Sequence, residues 1–160
     1  MNIMKQNLLT ISIATIFILI TGIAQGRELP PVMHINLEQQ FTYLEVSDHI
    51  SVVLTNETGK HISVDGDRSK FAKVKAVVKK GKLSIWLQGS NRGEKLTVYV
   101  PARLLKQLVI NGDSKVVTEE VLDNQKLDVL VNGACQLYLR SKGKINVSGT
   151  NEFEFQHSIE

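Results

Sequence analysis

Cysteine, proline and tryptophan are scarce in this 160-residue chain, which has one Cys, three Pro and one Trp. A single cysteine excludes an intrachain disulfide framework and any multi-cysteine zinc site. Aromatic residues make up only 6%, so few rings are available to stack on a base or a sugar. A large excess of one charge is also missing. The net charge is +3 and the pI near 9.0, too balanced for a dedicated nucleic-acid binder. There is no Gly-x-Ser-x-Gly elbow and no phosphate loop. The four histidines, His34, His49, His61 and His157, are neither at helical i, i+4 spacing nor beside the cysteine, so no metal motif forms. What is plentiful is apolar residue content, at 42%, which excludes wholesale disorder. Length allows one domain.

Residues 1–26 read as a secretory signal: Lys5 in the n-region, an apolar run from Leu8 to Ile20, and small residues in Ala24-Gln25-Gly26. The run falls short of the roughly 20 residues that span a bilayer, so no membrane span is expected after cleavage. No cysteine lies near the cleavage site, which argues against a lipid anchor. Residues 27–37, with Pro30-Pro31, read as an extended lead-in, and 38–160 as a single domain.

Beyond the leader, period-two alternation dominates and helical periodicity is scarce. Ile50, Val52 and Leu54 alternate up to a turn at Asn56-Glu57-Thr58-Gly59. Ile62 and Val64 lead to Asp65-Gly66-Asp67, which reads as a turn because it lacks the further oxygen ligands of a calcium loop. Val74–Val78 is apolar but flanked by lysines; it fits a helical turn or a strand, and the strand is favoured. Lys80-Gly81 predicts a tight hairpin into Leu83–Leu87. A loop at Gly89–Gly93 leads to Leu96, Val98 and Val100, and Pro101 ends that strand. Short strands between such turns predict an all-β protein.

The last third repeats on a glycine. Leu108-Val109-Ile110-Asn111-Gly112, Val129-Leu130-Val131-Asn132-Gly133 and Ile145-Asn146-Val147-Ser148-Gly149 align, each followed by a second strand that carries Val116, Leu137 or Phe153. Leu108, Ile110, Val116, Val129, Val131, Leu137, Ile145, Val147 and Phe153, nine apolar residues, share one parity and so one side of their strands. Gly112, Gly133 and Gly149, preceded by Asn111, Asn132 and Ser148, read as corners where glycine permits φ > 0. Stacking such units about 4.8 Å apart would bury a continuous column. The expected fold is a right-handed β-helix or solenoid-like stack with an N-terminal set of antiparallel strands. A meander of ordinary hairpins is the plainer alternative.

The opposite parity is what the stack would display. Asp128–Lys144 and Glu119–Arg140 are expected as neighbours on successive rungs. Val109, Leu130, Val117 and Tyr138 form an outward apolar set, which predicts cover by the N-terminal strands or by a second copy of the chain. Trp86 lies between the inward-phased Ile85 and Leu87 and is expected to face out. Cys135 matches Ser114 of the first unit and reads as a small buried corner residue. Lys79-Lys80-Gly81-Lys82, without interleaved aromatics, reads as a solvated hairpin tip.

Several segments together resemble the GIN domain family: Phe41 through Leu44 and Val46, Val64-Asp65-Gly66-Asp67, Gly81-Lys82-Leu83-Ser84-Ile85, Val98-Tyr99-Val100-Pro101, and the Asn/Ser-Gly repeats. This is a domain of unknown function known as an auto-transporter adhesin head, and the likeness covers roughly 38–156. The resemblance implies a right-handed β-helix-like fold and an envelope location. The corners here, Asn-Gly-Asp-Ser, Asn-Gly-Ala-Cys and Ser-Gly-Thr-Asn, depart from the Ser-Gly-Ala-Ser type of the family. The expected function is therefore a non-catalytic, exported, adhesin-like binding module without a cofactor. It would reside in the periplasm or at the cell surface of a Gram-negative bacterium. Its partner would be a surface glycan or envelope protein, with a homo-oligomer as a further option and no nucleic acid. Trp86, Tyr138, Val109, Leu130 and Val117 are the expected contact residues. Two alternatives stand beside it: a carbohydrate-active lyase or hydrolase on a β-helix, and an envelope structural protein that stacks through an open terminal rung.

Overall fold

A computed structural model describes residues 32–89, 96–149 and 154–158. The leader at 1–26, residues 27–31 of the lead-in, the predicted loop beyond Gly89, and Thr150, Asn151 and Phe153 of the third repeat lie outside the described residues. Among the described residues thirteen strands follow one another: β1 (Val32–Asn36), β2 (Tyr43–Ser47), β3 (Ser51–Thr55), β4 (His61–Asp65), β5 (Val74–Lys79), β6 (Lys82–Leu87), β7 (Thr97–Pro101), β8 (Gln107–Asn111), β9 (Lys115–Thr118), β10 (Lys126–Asn132), β11 (Gln136–Arg140), β12 (Lys144–Gly149) and β13 (Glu154–Ser158). One 3-10 turn, Arg68–Lys73, is capped by Asp67, whose carboxylate accepts from Ser69 N at 2.9 Å. The chain is all-β.

The strands form two sheets. One runs β1-β4-β7-β3-β9-β11-β13, the other β12-β10-β8-β2-β6-β5. Within them, β2–β3, β8–β9 and β10–β11 are strand-corner-strand units that pair in parallel with their neighbours, and β12 and β13 pair in parallel with β10 and β11. The pair β6 and β7 stacks in parallel on β2 and β3. The expected N-terminal antiparallel set is thus smaller than predicted. Only β1–β4, β4–β7 and β5–β6 pair antiparallel, while β2, β3, β6 and β7 carry the parallel stack onward. The β2–β3 unit lies inside the stack, between β6–β7 on one side and β8–β9 on the other, and β3 is the middle strand of the seven-stranded sheet.

The inward columns follow the predicted parity. Leu83, Leu44, Leu108, Val129 and Val147 line up across five strands, and Ile85, Val46, Ile110 and Val131 form the adjacent column. In the other sheet, Val98, Val52, Val116, Leu137 and Phe155 do the same. Leu44, Leu83, Leu108 and Ile110 are fully buried, each contributing about 1.5–3 kcal/mol of transfer free energy.

The third repeat is displaced by two residues from the glycine alignment. Val147 stands beside Val129 rather than Val131, Gly149 stands beside Val131, and Phe155 stands beside Leu137. Gly149 and Ser148 are therefore strand residues of β12, not corner residues, and the Ser148 hydroxyl donates to Val129 O at 3.3 Å. The register is set at the opposite corner. There Ser141 Oγ donates to Asn124 Oδ1 at 2.7 Å, and Leu122 N and Lys142 N bond to Arg140 O and Leu122 O, each at 3.0 Å. Gly143 sits so close to this corner that a Cβ would strike the carbonyls of Asn124 and Gln125.

The true corners also differ from one another. Gly112 is left-handed, at φ 100°, whereas Gly133 is not among the positive-φ residues. Gly133 is needed for closeness instead: a Cβ there would lie 2.6 Å from Gly112 O. The matching place in β2–β3 is filled by Asp48, itself left-handed at φ 70°, a conformation that Asp tolerates better than most residues. Asp48 ties three rungs together. Its carboxylate accepts from Leu87 N (3.2 Å), its amide donates to Asn111 O (3.1 Å) and its carbonyl accepts from Ser114 Oγ (2.6 Å). Lys80 and Gly81, at φ 51° and 75°, make the predicted hairpin between β5 and β6.

Candidate binding face

Side chains of the opposite parity cover the outer face of the six-stranded sheet. Because cross-strand partners point the same way, the register places Lys79, Lys82, Tyr43, Gln107 and Asp128 in one row. Val77, Ser84, Glu45, Val109 and Leu130 form the next. Trp86 opposes Lys75 in a third row, whose farther members are Asn111 and Asn132.

A hydrogen-bonded chain runs across four of these strands. Lys82 Nζ meets Glu45 Oε2 at 2.5 Å, Asn111 Nδ2 donates to Glu45 Oε1 at 3.0 Å, and Asn132 Nδ2 donates to Asn111 Oδ1 at 3.0 Å. Ser84 Oγ also donates to Glu45 Oε2, at 3.3 Å. The Lys82 bond is the main reason that the Glu45 carboxyl titrates below its ordinary range. Reciprocally, Glu45 raises Lys82. Lys82 Nζ also sits 5.0 Å from the Tyr43 ring centroid, within cation–π range. Glu45 and Lys82 are thereby held in fixed positions on a flat surface.

The expected contact residues do not converge on one site. Trp86, Val109 and Leu130 share the outer face of the six-stranded sheet. Val117 and Tyr138 lie on the outer face of the other sheet, in a half-buried row with Val53 and Tyr99. Lys115 Nζ approaches the Tyr138 ring to 5.8 Å. The N-terminal strands do not cover either set. They extend the two sheets edge-on, and Val109 is buried to 5% exposure in a row between Glu45 and Leu130. Asn111 and Asn132 stand at the ends of β8 and β10 and join the polar chain across this face; the Asn-Gly spacing carries no signal of that contact.

Two expected charge pairs form differently. Asp128 takes Lys126 (2.7 Å) and Asn146 Nδ2 (2.7 Å) as its close partners, with Lys144 acting only at longer range. Arg140 donates to the backbone carbonyl of Glu119 at 2.5 Å rather than to its carboxylate.

A separate cleft of about 550 Å³ opens between the corners, lined by Arg103, Leu104, Lys106, Asp123, Lys126 and Asp128 among others. Both carboxylates are engaged. Asp123 holds Lys142 at 2.7 Å and Asn56 Nδ2 at 3.0 Å. Hydrogen bonds from lysine, Lys142 to Asp123 and Lys126 to Asp128, are the leading cause of their lowered pKa values. A general acid for glycoside cleavage needs the opposite shift. Elsewhere, His49 Nε2 lies 3.3 Å from Asp113 and His34 Nδ1 is 2.9 Å from Ser63 Oγ. Among the described residues, no group of three or more His, Cys, Asp or Glu is placed to hold a metal. Cys135 is buried, and desolvation raises its thiol pKa, as suits a packed corner residue.

A family model described as "Putative auto-transporter adhesin, head GIN domain" matches residues 40–156. The chain belongs to this family. Three solved structures share the fold of this GIN domain: a putative adhesin from Parabacteroides merdae (17% identity, TM-score 0.56), a putative lipid binding protein from Parabacteroides distasonis (15%, 0.59) and a putative adhesin from Bacteroides fragilis (18%, 0.57). The alignments cover 82%, 82% and 80% of this chain, but only 54%, 61% and 62% of those structures. The chain thus spans little more than half their length. No curated protein matches it. Among the described residues of this GIN domain, no helix is long and apolar enough to cross a membrane.

Proposed function

We propose that this GIN domain is a non-catalytic, exported binding module of the bacterial envelope, adhesin-like in action. It would bind a surface glycan or envelope protein on the flat outer face of its six-stranded sheet. One observation carries the reading: the Lys82–Glu45–Asn111–Asn132 chain fixes polar groups across four strands beside Trp86 and Tyr43. Specific recognition favours side chains ordered in advance, since little freedom is then lost on binding. Family membership and the adhesin-like neighbours support the same reading.

The stack that holds this face is, in this proposal, a short right-handed β-solenoid. Parallel strands joined by a crossover in one sheet take the right-handed path in nearly all cases, and β8 to β10 is such a connection, through β9. Trp86, Val109 and Leu130 belong to the proposed face, and Val117 and Tyr138 fall outside it.

The test is a binding screen of the protein, exported through its own leader, against glycans and envelope components. Saturable binding that Asn111→Ala weakens and Tyr138→Leu leaves unchanged is the expected result. Release of new reducing ends from any polysaccharide in the screen would overturn the non-catalytic reading. Recovery of the protein only from the cytoplasm would overturn the export.

A further inference from the structure

The β5–β6 hairpin carries a shallow groove of about 330 Å³ lined by Val77, Lys79, Lys82, Ser84 and Trp86. Lys79 and Lys82 are direct cross-strand partners on its outer side, a like-charge pairing that is unfavourable unless an anion joins it. Of the two lysines Glu45 pairs with Lys82: its two oxygens are taken by Lys82, Ser84 and Asn111. Lys79 forms no ion pair among the described residues. Lysine on β5, an edge strand, blunts unwanted pairing. That role does not explain Lys82 or Trp86, which lie on the interior strand β6.

The floor of the groove is apolar. Val77 is 38% exposed, and Trp86 is half-buried with its neighbours Ile85 and Leu87 pointing into the core. Lys75, the cross-strand partner of Trp86, donates to Ala72 O at 2.8 Å and is not part of the groove's lining. Two ammonium groups, those of Lys79 and Lys82, thus rim one aromatic and one aliphatic side chain, in a protein whose overall charge is only +3. A ligand that fits must bring an anion for Lys79 and Lys82 and an apolar ring face for Trp86.

We infer that this groove is a subsite for an acidic sugar, a carboxylated pyranose within a polysaccharide. The inference rests on the binding-module reading and gives that face its ligand class. The carboxylate sits between Lys79 and Lys82, and the C–H face of the ring lies on Trp86. The polar chain from Lys82 to Asn132 continues the site away from the hairpin, with strands ~4.8 Å apart, comparable to the rise of one pyranose along an extended polymer. A polysaccharide would therefore run across the strands. A lone half-buried tryptophan offers no protruding apolar anchor for a lipid bilayer, and so weak a net charge does not suit a nucleic-acid backbone.

The test uses the full chain and titrates polygalacturonate, following the fluorescence of Trp86, the sole tryptophan. Parallel titrations use carboxyl-reduced polygalacturonate and phosphatidylglycerol vesicles. Saturable quenching by the acidic polymer alone is expected. Lys79→Gln should weaken binding about tenfold and flatten its salt dependence. Lys115→Gln, an exposed lysine on the outer face of the other sheet, should change neither. Lys79 is exposed, so Lys79→Gln keeps the fold, and an unaltered thermal transition verifies this. Equal binding of the carboxyl-reduced polymer, binding to vesicles instead, or full affinity in Lys79→Gln would each overturn the acidic-sugar subsite. If polygalacturonate fails but another glycan binds on this face, only the subsite falls. If no envelope component binds at all, the binding-module reading falls with it.

Discussion

Replacing Gly133 with alanine tests the stacking of corners in the most direct way. Gly133 and Gly112 share the same local sequence, Asn-Gly, but need glycine for different reasons. Gly112 is left-handed, with its nearest non-neighbour atom 3.5 Å from a would-be Cβ. Gly112→Ala therefore meets only the left-handed penalty, about 1–2 kcal/mol. At Gly133, a Cβ would lie 2.6, 2.7 and 2.8 Å from the O, N and C atoms of Gly112. These are backbone atoms and no rotamer change relieves them. Relief needs the two corners to part by nearly 1 Å. That stretches the flanking bonds from Gln136 N to Ser114 O, now 3.1 Å, and from Asn132 Nδ2 to Asn111 Oδ1, now 3.0 Å. Overpacking costs about 1–3 kcal/mol and each weakened bond about 0.5–1.5 kcal/mol. The lower entropy of the unfolded alanine chain returns about 0.4–1 kcal/mol. The expected net loss is about 1–5 kcal/mol for Gly133→Ala, centred near 3 and the larger of the two. Urea unfolding followed by far-UV circular dichroism measures both, and a midpoint drop of about 4 °C per kcal/mol should accompany it on heating. If Gly133→Ala proves as stable as the wild type, or less costly than Gly112→Ala, the corners do not stack as described.

Three further outcomes are expected. Leu44→Ala, fully buried inside the stack, should cost about 2–5 kcal/mol, and Ile145→Ala on the half-buried edge strand β12 clearly less; equal costs in urea unfolding would contradict the interior place of β2. The lowered pKa of Glu45 makes its contribution to stability present above the ordinary carboxyl value of about 4.3 and lost as pH falls through the folded value. The raised pKa of Lys82 makes its share complete below about 10.4 and lost as pH climbs through the folded value. Glu45→Gln should flatten the acid limb of a melting-temperature profile, and an unchanged limb would count against the pair. The Cys135 thiol, buried and raised by desolvation, should resist iodoacetamide at pH 8 in the native protein and react fully in urea; rapid native alkylation would refute its packing.

The sequence by itself determined which residues face inward. Strict alternation gives each strand two faces, and the parity read at Leu108, Val129 and Ile145 survives in the structure. Turn chemistry was equally legible: Lys80-Gly81 makes its hairpin, Pro101 ends β7, and the chain turns after β4 at Asp65-Gly66-Asp67, with Gly66 at φ 137°. The 3-10 turn that Asp67 caps was not. Register was not legible. A slip of two residues preserves parity, so the pattern cannot distinguish Gly149 at a corner from Gly149 beside Val131. That choice is made at a distance, where Ser141 and Gly143 fit against Asn124 and Gln125. The β2–β3 unit escaped notice because Asp48 occupies the left-handed position that glycine marks elsewhere. Whether a strand pairs in parallel is also absent from alternation, because both pairings present the same faces. Only the packed structure placed β2–β3 inside the stack, and only it set Glu45, Asn111 and Asn132, distant along the chain, in hydrogen-bonding contact across adjacent strands.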